Sequence, residues 1–477
     1  MRRGFRASGE GARVVTLAEL QVDEALLLRM SGAGPRYTSY PTAPEWQPFT
    51  SEDARAALGR ASAKRDTPLS IYVHLPFCAR MCLFCGCTVE ITRRADKVTS
   101  YLNALELEVE RTADALGGRN KVMQIHWGGG TPTHLAPAEL KRLFTILTKR
   151  FEVLPGAEIS IEVHPHVTSF EHIDTLVECG FNRISMGVQD LDPHVQEIIA
   201  RDQTTEETEA LVEYCRKRGM SGGVNLDLMY GLPEQTEATF AATLETIARI
   251  RPDRLAVYGY AHVPWLKKHQ TALEPYRMPT PPERARLFFV AIEQLSKFGY
   301  EVIGIDHFAL RSDPLFKALE DGSLHRNFMG YTTHPADEML AFGMSAIADV
   351  GGAFIQNDHD TRSYEERVRS GDFAAMRGIV RSAEDDLRRG AIQALMCRMR
   401  LDFDELGRAF GRNDLAQHFA RELEELKPLE TQGFCTLDPR GVTVHPKGRL
   451  FLRHLAMVFD EYLRKSKPEG PRFSKTI

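Results

Sequence analysis

No run of this chain is apolar for long enough to span a bilayer, and the first fifteen residues, with Arg2, Arg3, Arg6 and Arg13, hold no apolar core of a secretory leader. A cytoplasmic location is expected. Neither sign of charge prevails: 60 Lys and Arg stand against 65 Asp and Glu, a formal net charge of -5, which gives no general attraction for nucleic acid or an anionic membrane. Cysteine is scarce. There are eight in 477 residues, too few and too unevenly placed for a disulfide framework, so a reducing compartment and a metal centre are expected instead. Cys179, Cys215, Cys397 and Cys435 stand alone in apolar patterns and read as small buried side chains. The other four crowd between Cys78 and Cys87.

The chain exceeds one ordinary domain, and its composition, 43% hydrophobic and 26% charged, is that of a globular protein with a substantial core. From residue 70 onward, short β-branched runs (SIYVHL, VMQIHW, EISIEV, NRISMGV, VNLDLMY, RLAVYGY, YEVIGID) alternate with longer amphipathic ones such as TSYLNALELEVERTADAL and EATFAATLETIARI. Repeated βα units predict parallel strands covered by helices, as a full or partial barrel or an open doubly wound sheet. Three parts are expected: an N-terminal extension or arm over residues 1–50, a catalytic α/β domain over 51–355, and a mostly helical domain over 356–477. The arm includes RYTSYPTAPEWQPF, extended and rich in aromatics. In the last part, helices, a two-strand candidate at GFCTLDPRGVTVHP and a final helix from Lys447 to Arg464 outline a winged-helix-like shape. The acidic run RELEEL and the lack of a basic stripe favour packing against the barrel over DNA binding.

Cys78, Cys82 and Cys85 form C-x3-C-x2-C directly after SIYVHL, at the carboxyl end of a strand, where α/β folds place their active sites. Four thiolates would close a structural zinc site or an electron-transfer cluster; three leave one metal position open for a small molecule. The competing readings are a zinc knuckle completed by Cys87, which the short C-x-C step would crowd, and coincidence. Further on, HWGGGTPTHL sets Gly128, Gly129 and Gly130 after another strand, where backbone can approach a ligand or simply turn tightly.

The triplet, with Phe84 before its third cysteine, resembles the signature of the radical S-adenosylmethionine (SAM) enzymes, and GGGT resembles their glycine motif. That resemblance implies a partial (βα) barrel and a 4Fe-4S cluster on Cys78, Cys82 and Cys85. SAM would occupy the open iron and be cleaved to a 5'-deoxyadenosyl radical. PRYTSYPTA, YVHLPFC, FCGC, HWGGGTPT, GFNRISMGVQD, NLDLMYGLP, YAHVP, HRNF, GYTT and the terminal RFS narrow it to the oxygen-independent coproporphyrinogen III dehydrogenase (oxidase) family, over nearly the whole chain. These enzymes turn two propionates of coproporphyrinogen III into the vinyl groups of protoporphyrinogen IX, in haem synthesis. Carried across motif by motif, Tyr72, Gly129, Glu162 and Ile347 would bind the cluster-bound SAM. Phe84, Gly130, Thr131, Gln189, Arg201, Asp227 and Ala261 would line a second SAM site. Tyr72, His74, Cys87 and Glu162 are the catalytic candidates, with His74 two residues after Tyr72 on one face of the strand.

Four propionates demand cations, for which Arg36 and Arg326 are the candidates. Taken singly, each of these residues is equally an ordinary salt-bridging or core side chain. Partners implied are the tetrapyrrole, an electron donor and an electron acceptor, with no nucleic acid and no membrane span, and a monomer. Two positions depart from the family pattern: Met329 in HRNFMGYTT stands where Gln is usual, and His164 in IEVHP where Asp is usual. A paralogue acting on another tetrapyrrole is the alternative they raise. A haem-binding chaperone of the same descent is the other, although it would lose part of the triplet that is intact here.

Overall fold

The structure, a computed structural model, describes residues 22–465 except 335 and 337. The first 21 residues of the expected arm and the terminal RFS stretch lie outside the described residues. Seven strands are joined by parallel pairing: β1 (Leu69–Leu75), β2 (Lys121–Gly129), β3 (Glu152–Val163), β4 (Arg183–Gln189), β5 (Val224–Tyr230), β6 (Arg254–Gly259) and β7 (Met339–Phe342). Their spatial order is β7-β1-β2-β3-β4-β5-β6. Helices Ala95–Ala115, Pro137–Thr148, Phe170–Glu178, Thr205–Lys217 and Glu237–Ile250 make the crossovers. Antiparallel strands extend both edges, Ile347–Val350, Ala353–Asn357, Ala375–Val380 and Gln47–Pro48 beyond β7, and His307–Leu310 and Tyr300–Val302 beyond β6.

Alternation along the strands sets the two faces. Ile71, Val73, Ile125, Trp127, Ile159, Ile161, Ile184, Met186, Leu226 and Leu228 are buried in the main core with residues of the covering helices. Between them stand Tyr72, His74, His126, Gly128, Ser160, Glu162, Ser185 and Asp227, which face the other way. The register aligns Tyr72 with His126 and His126 with Ser160, so the polar residues form tiers inside the sheet. One cavity is lined both by Gln356 and by His307, on strands nearly the whole width of the sheet apart. The sheet therefore curls around its polar face into a partial barrel.

Several details differ from the sequence expectation. YEVIGID is not a further parallel strand: Tyr300–Val302 turns back on His307–Leu310, and the Tyr331 ring fills the space a side chain at Gly304 would need. The four-residue β7 was missed because so short a run carries no periodicity. The sheet also runs past residue 355 to Val380, and Gln47–Pro48 of the arm pairs with that last strand. The helix expected from Lys447 to Arg464 is three short ones, Pro446–Arg449, Leu452–Met457 and Glu461–Lys465. The strand pair Cys435–Asp438 and Gly441–Val444 is joined by Arg400–Asp402. This C-terminal part packs on the arm: Tyr37 donates to Asp460 at 3.0 Å, and the Glu461 N–H donates to the Tyr40 hydroxyl at 3.1 Å. Among the described residues no helix is long and apolar enough to cross a membrane.

One buried charge ties the barrel edge together. Arg119, 1% exposed, pairs with Glu338 and donates to the carbonyl oxygens of Ala61 and Thr67. Replacing it with Met takes the buried partner from Glu338, which keeps the half-exposed Lys64 (3.4 Å) and the Gly351 N–H (3.0 Å), and Arg119→Met is expected to cost about 3 kcal/mol, read by chemical denaturation.

Candidate active site

The three cysteines follow β1 on a loop that opens with the short strand Phe77–Cys78, paired in parallel with Glu90–Ile91. All three thiols are free and half-buried. The segment after β6 holds this loop by its backbone: Gln270 donates to the Phe84 carbonyl (2.9 Å), His269 to Cys85 (2.8 Å) and Lys267 to Cys87 (2.9 Å). Cys78 Sγ lies 3.4 Å from Thr131 Oγ1, and Arg201 Nη1 lies 3.6 Å from Cys82 Sγ. A hydrogen bond from Cys87, with Lys267 and His269 nearby, lowers the Cys85 thiol, whereas burial pushes Cys78 up to about 11. No set of three His, Cys, Asp or Glu side chains among the described residues converges on a point one ion could occupy. That is no obstacle to a cluster, in which each thiolate takes its own iron. Hydrogen-bond donors aimed at the sulfurs, such as Arg201, suit such a centre.

Beside the loop, Tyr72 and His74 act as a unit. His74 Nε2 is 2.9 Å from the Thr88 carbonyl oxygen, which can only accept, so Nε2 carries the proton. Nδ1 then accepts from the Tyr72 hydroxyl at 3.1 Å. Burial lowers the His74 pKa and keeps the ring neutral, as this pattern requires. Gly129, at φ 117, completes the packing, since a Cβ there would lie 2.7 Å from the His74 ring. The glycine is thus needed for its conformation and for the close approach. Replacing His74 with Phe preserves the packing and removes both hydrogen bonds. His74→Phe is expected to keep its full iron content and lose about tenfold in turnover through a misplaced Tyr72, near the 1–3 kcal/mol of an unmade buried bond. Iron analysis beside steady-state rates checks this.

Glu162 sits across from them and accepts from the Gly129 N–H at 3.1 Å and from His126 Nε2 at 3.3 Å. Burial works to raise this carboxyl, but the His126 imidazole and the Gly129 N–H hold it below its ordinary range. A Cβ at Gly128 would meet its oxygen at 2.7 Å. His126 was not singled out in the sequence. Its signal was there in HWGGG, two residues before Gly128 and so on the same strand face.

Two cavities meet at this point, and Cys87 and Glu162 line both. The larger, of about 580 Å³, is walled by the three cysteines, Phe84, Gly129, Gly130, Thr131, Gln189, Arg201 and Asp227. Arg201 donates to the Gly187 carbonyl at the bulge where β4 ends, and Gln189 there takes φ 70. Asp227, fixed by Asn225 (2.8 Å) and Ser185 (3.1 Å), is pushed up to about 6 by burial and by Glu162. His164 lies in the same wall, with its Nδ1 buried and making no hydrogen bond. Burial and Arg201 take its pKa down to about 2, so it is neutral. Ala261 does not line this cavity; it borders a neighbouring one, where Gln270 bonds both its carbonyl (3.3 Å) and that of Phe84.

The second cavity, of about 450 Å³, is lined by Tyr72, His74, His126, Ile347, Met329, Arg36 and Arg326. Arg36 is ion-paired with Asp306. Arg326 lies 4.6 Å over the Tyr331 ring, and its Nη1 is buried and makes no hydrogen bond. The arm, β1, β3 and the HRNF segment thus bring a thiol loop, a carboxylate and two guanidiniums to one space. Such a set can hold a cluster with a zwitterionic ligand on one side and a carboxylate on the other.

Known proteins resemble this chain in sequence and fold. The pattern of the radical SAM superfamily matches residues 72–247, and that of the HemN C-terminal domain matches residues 382–451. Oxygen-independent coproporphyrinogen III oxidase of Salmonella typhimurium is 41% identical over 464 residues, 97% of this chain and 100% of that protein. The Pseudomonas aeruginosa protein of the same name is 39% identical over 467 residues, with 97% and 100% covered. The solved structure of coproporphyrinogen III oxidase (HemN) from Escherichia coli, described as a radical SAM enzyme, superposes with a TM-score of 0.87 at 40% identity. It covers 92% of this chain and 99% of the other.

Proposed function

Because this chain belongs to the oxygen-independent coproporphyrinogen III oxidases of the radical SAM superfamily, we propose that it converts two propionates of coproporphyrinogen III to the vinyl groups of protoporphyrinogen IX without oxygen. The observation that carries this reading is the meeting of the cysteine loop, Glu162 and two arginines, Arg36 and Arg326, in adjoining cavities. Cys78, Cys82 and Cys85 would hold a 4Fe-4S cluster, which with SAM would supply the oxidising 5'-deoxyadenosyl radical. Each propionate gives up a hydrogen atom, then carbon dioxide and one further electron, leaving a vinyl group.

The protein's own part is positioning. Glu162 receives the ammonium of SAM as a charge-assisted acceptor, with the Gly128–Gly130 backbone close enough to cover the ligand. Tyr72, aimed by His74, and Ile347 shape the same pocket. Arg326, with a buried nitrogen that makes no bond, and Arg36 hold the reacting carboxylate until it leaves. The walls exclude water from the radical. A second SAM is assigned to the larger cavity, with Arg201 for its carboxylate, Asp227 and Gln189 for its polar groups and Phe84 against its base. Cys87, facing both cavities, is assigned to the active site rather than to the cluster. The protein works as a cytoplasmic monomer with a separate electron donor and acceptor.

Met329 replaces an amide in the substrate cavity, yet the coproporphyrinogen reading stands over another tetrapyrrole or a haem chaperone, since the relatives share that activity name along their full length. Anaerobic reconstitution with iron and sulfide, then assay with SAM, reductant and coproporphyrinogen III, tests it. Protoporphyrinogen IX and 5'-deoxyadenosine are expected. SAM cleavage with no protoporphyrinogen IX would overturn the substrate and keep the superfamily.

A further inference from the structure

Arg36 separates the substrate cavity from a third one, of about 440 Å³, at the carboxyl ends of β5 and β6 under the arm and the C-terminal helices. Its charge is one-sided. Arg36, Arg284, Arg449 and Arg453 line it, and the carboxylate in its wall, Asp306, is already ion-paired with Arg36. Arg284 Nε is buried and makes no hydrogen bond, and the guanidinium rests 6.0 Å from the centre of the Tyr230 ring.

The chain makes room for this cation. Gly231 follows β5 and Gly259 ends β6; a Cβ on the first would lie 3.0 Å from Arg284 Nη1, and on the second 3.3 Å from Nη2. Arg453, 4% exposed, donates to the carbonyl oxygens of Gly34 and Pro35, fastening the arm segment that carries Arg36. Much of the remaining wall is apolar, from Val263, Met278, Phe288, Ile305 and Leu450, with His262 and His454 among it and Trp265 57% exposed at the rim. A guanidinium with a buried nitrogen that makes no hydrogen bond is costly unless an anion arrives to pair with it. An apolar wall beside it selects an amphiphile over a small free anion.

We infer that this third cavity is a carboxylate subsite, in which Arg284 and Arg36 grip propionates on the edge of the tetrapyrrole turned away from the cluster. It rests on the function proposed above and extends it. One propionate reacts at a time, so the macrocycle must be held by others while it does so. Arg36, bordering both cavities, spans the reacting and the holding ends.

The test titrates the reconstituted, SAM-loaded protein with coproporphyrin III and with its tetramethyl ester, followed by porphyrin fluorescence, and measures turnover of coproporphyrinogen III. The unmodified protein is expected to bind the ester at least tenfold more weakly than the acid. Arg284→Met is expected to weaken the acid at least tenfold and leave the ester within twofold. It should also raise KM in proportion and release the once-decarboxylated intermediate. Arg284→Lys recovers most of the loss. Equal binding of the acid by Arg284→Met, or equal loss of acid and ester, overturns the subsite while normal product formation leaves the function standing. Arg284-dependent binding with no product keeps the subsite and sinks the function. If Arg284→Met fails to take up its cluster, acid and ester bound within twofold of each other by the unmodified protein overturn the subsite, and a tenfold preference for the acid supports it.

Discussion

Replacing Cys78, Cys82 or Cys85 singly by Ala is expected to abolish coproporphyrinogen turnover, to below about one-thousandth of the unmodified rate, with the cluster lost or degraded. The three positions are equivalent in this respect because a four-iron cluster held by three thiolates has no ligand to spare. Cys87 is not expected to substitute. It lies one residue beyond Gly86, its side chain faces both cavities, and its backbone carbonyl is tied by Lys267. Cys87→Ala is therefore expected to retain its iron, which separates its role from that of the triplet. The measurements are iron and sulfide content and the electron paramagnetic resonance of the reduced protein. A Cys82→Ala variant with a full cluster and normal rates would remove the assignment.

The second large effect is expected at Glu162. Glu162→Gln keeps the shape, and its one carbonyl oxygen can still accept from the Gly129 N–H while its NH2 turns to His126 Nε2, so the fold should persist, but the negative charge proposed to meet the SAM ammonium is gone. Losing one partner of a charge pair that the bound ligand would bury costs about 2–5 kcal/mol, or roughly thirty- to several-thousand-fold in affinity. The sign with pH follows from its depressed carboxyl pKa: the charge is present through the neutral range and is lost only as pH falls below the ordinary carboxylate range. The defect of Glu162→Gln should thus be constant near neutrality. SAM titrations monitored by the change in the reduced cluster's resonance give the affinity. Wild-type affinity in the variant would place the ammonium elsewhere.

What could be read in the chain tracked local chemistry. The cysteine spacing, the three glycines after β2 and the alternation in SIYVHL and VNLDLMY are properties of a few adjacent residues, and each strand face follows from its period of two. His126 escaped notice because its meaning comes from β3: only the pairing of β2 with β3 sets it against Ser160 and Glu162. Short β7 and the turned-back YEVIGID were misjudged or missed for a related reason, since neighbours in the sheet, and Tyr331 pressed against Gly304, decide them. Ala261 lines a neighbouring cavity, yet Gln270 ties its carbonyl to that of Phe84, a link between segments far apart in sequence.

By itself the sequence determined the cluster loop, the repeated βα pattern and the family, because thiolate spacing and strand periodicity are short-range and survive without knowledge of the partners. Only the tertiary structure decided that the sheet curls until Gln356 and His307 face one cavity, and that Arg36 stands between two cavities while Arg284, with a buried Nε, pairs with no acid among the described residues. Charges, cavities and hydrogen bonds of that kind arise where segments hundreds of residues apart meet. Their energies depend on distance and burial, neither of which is written in residue order.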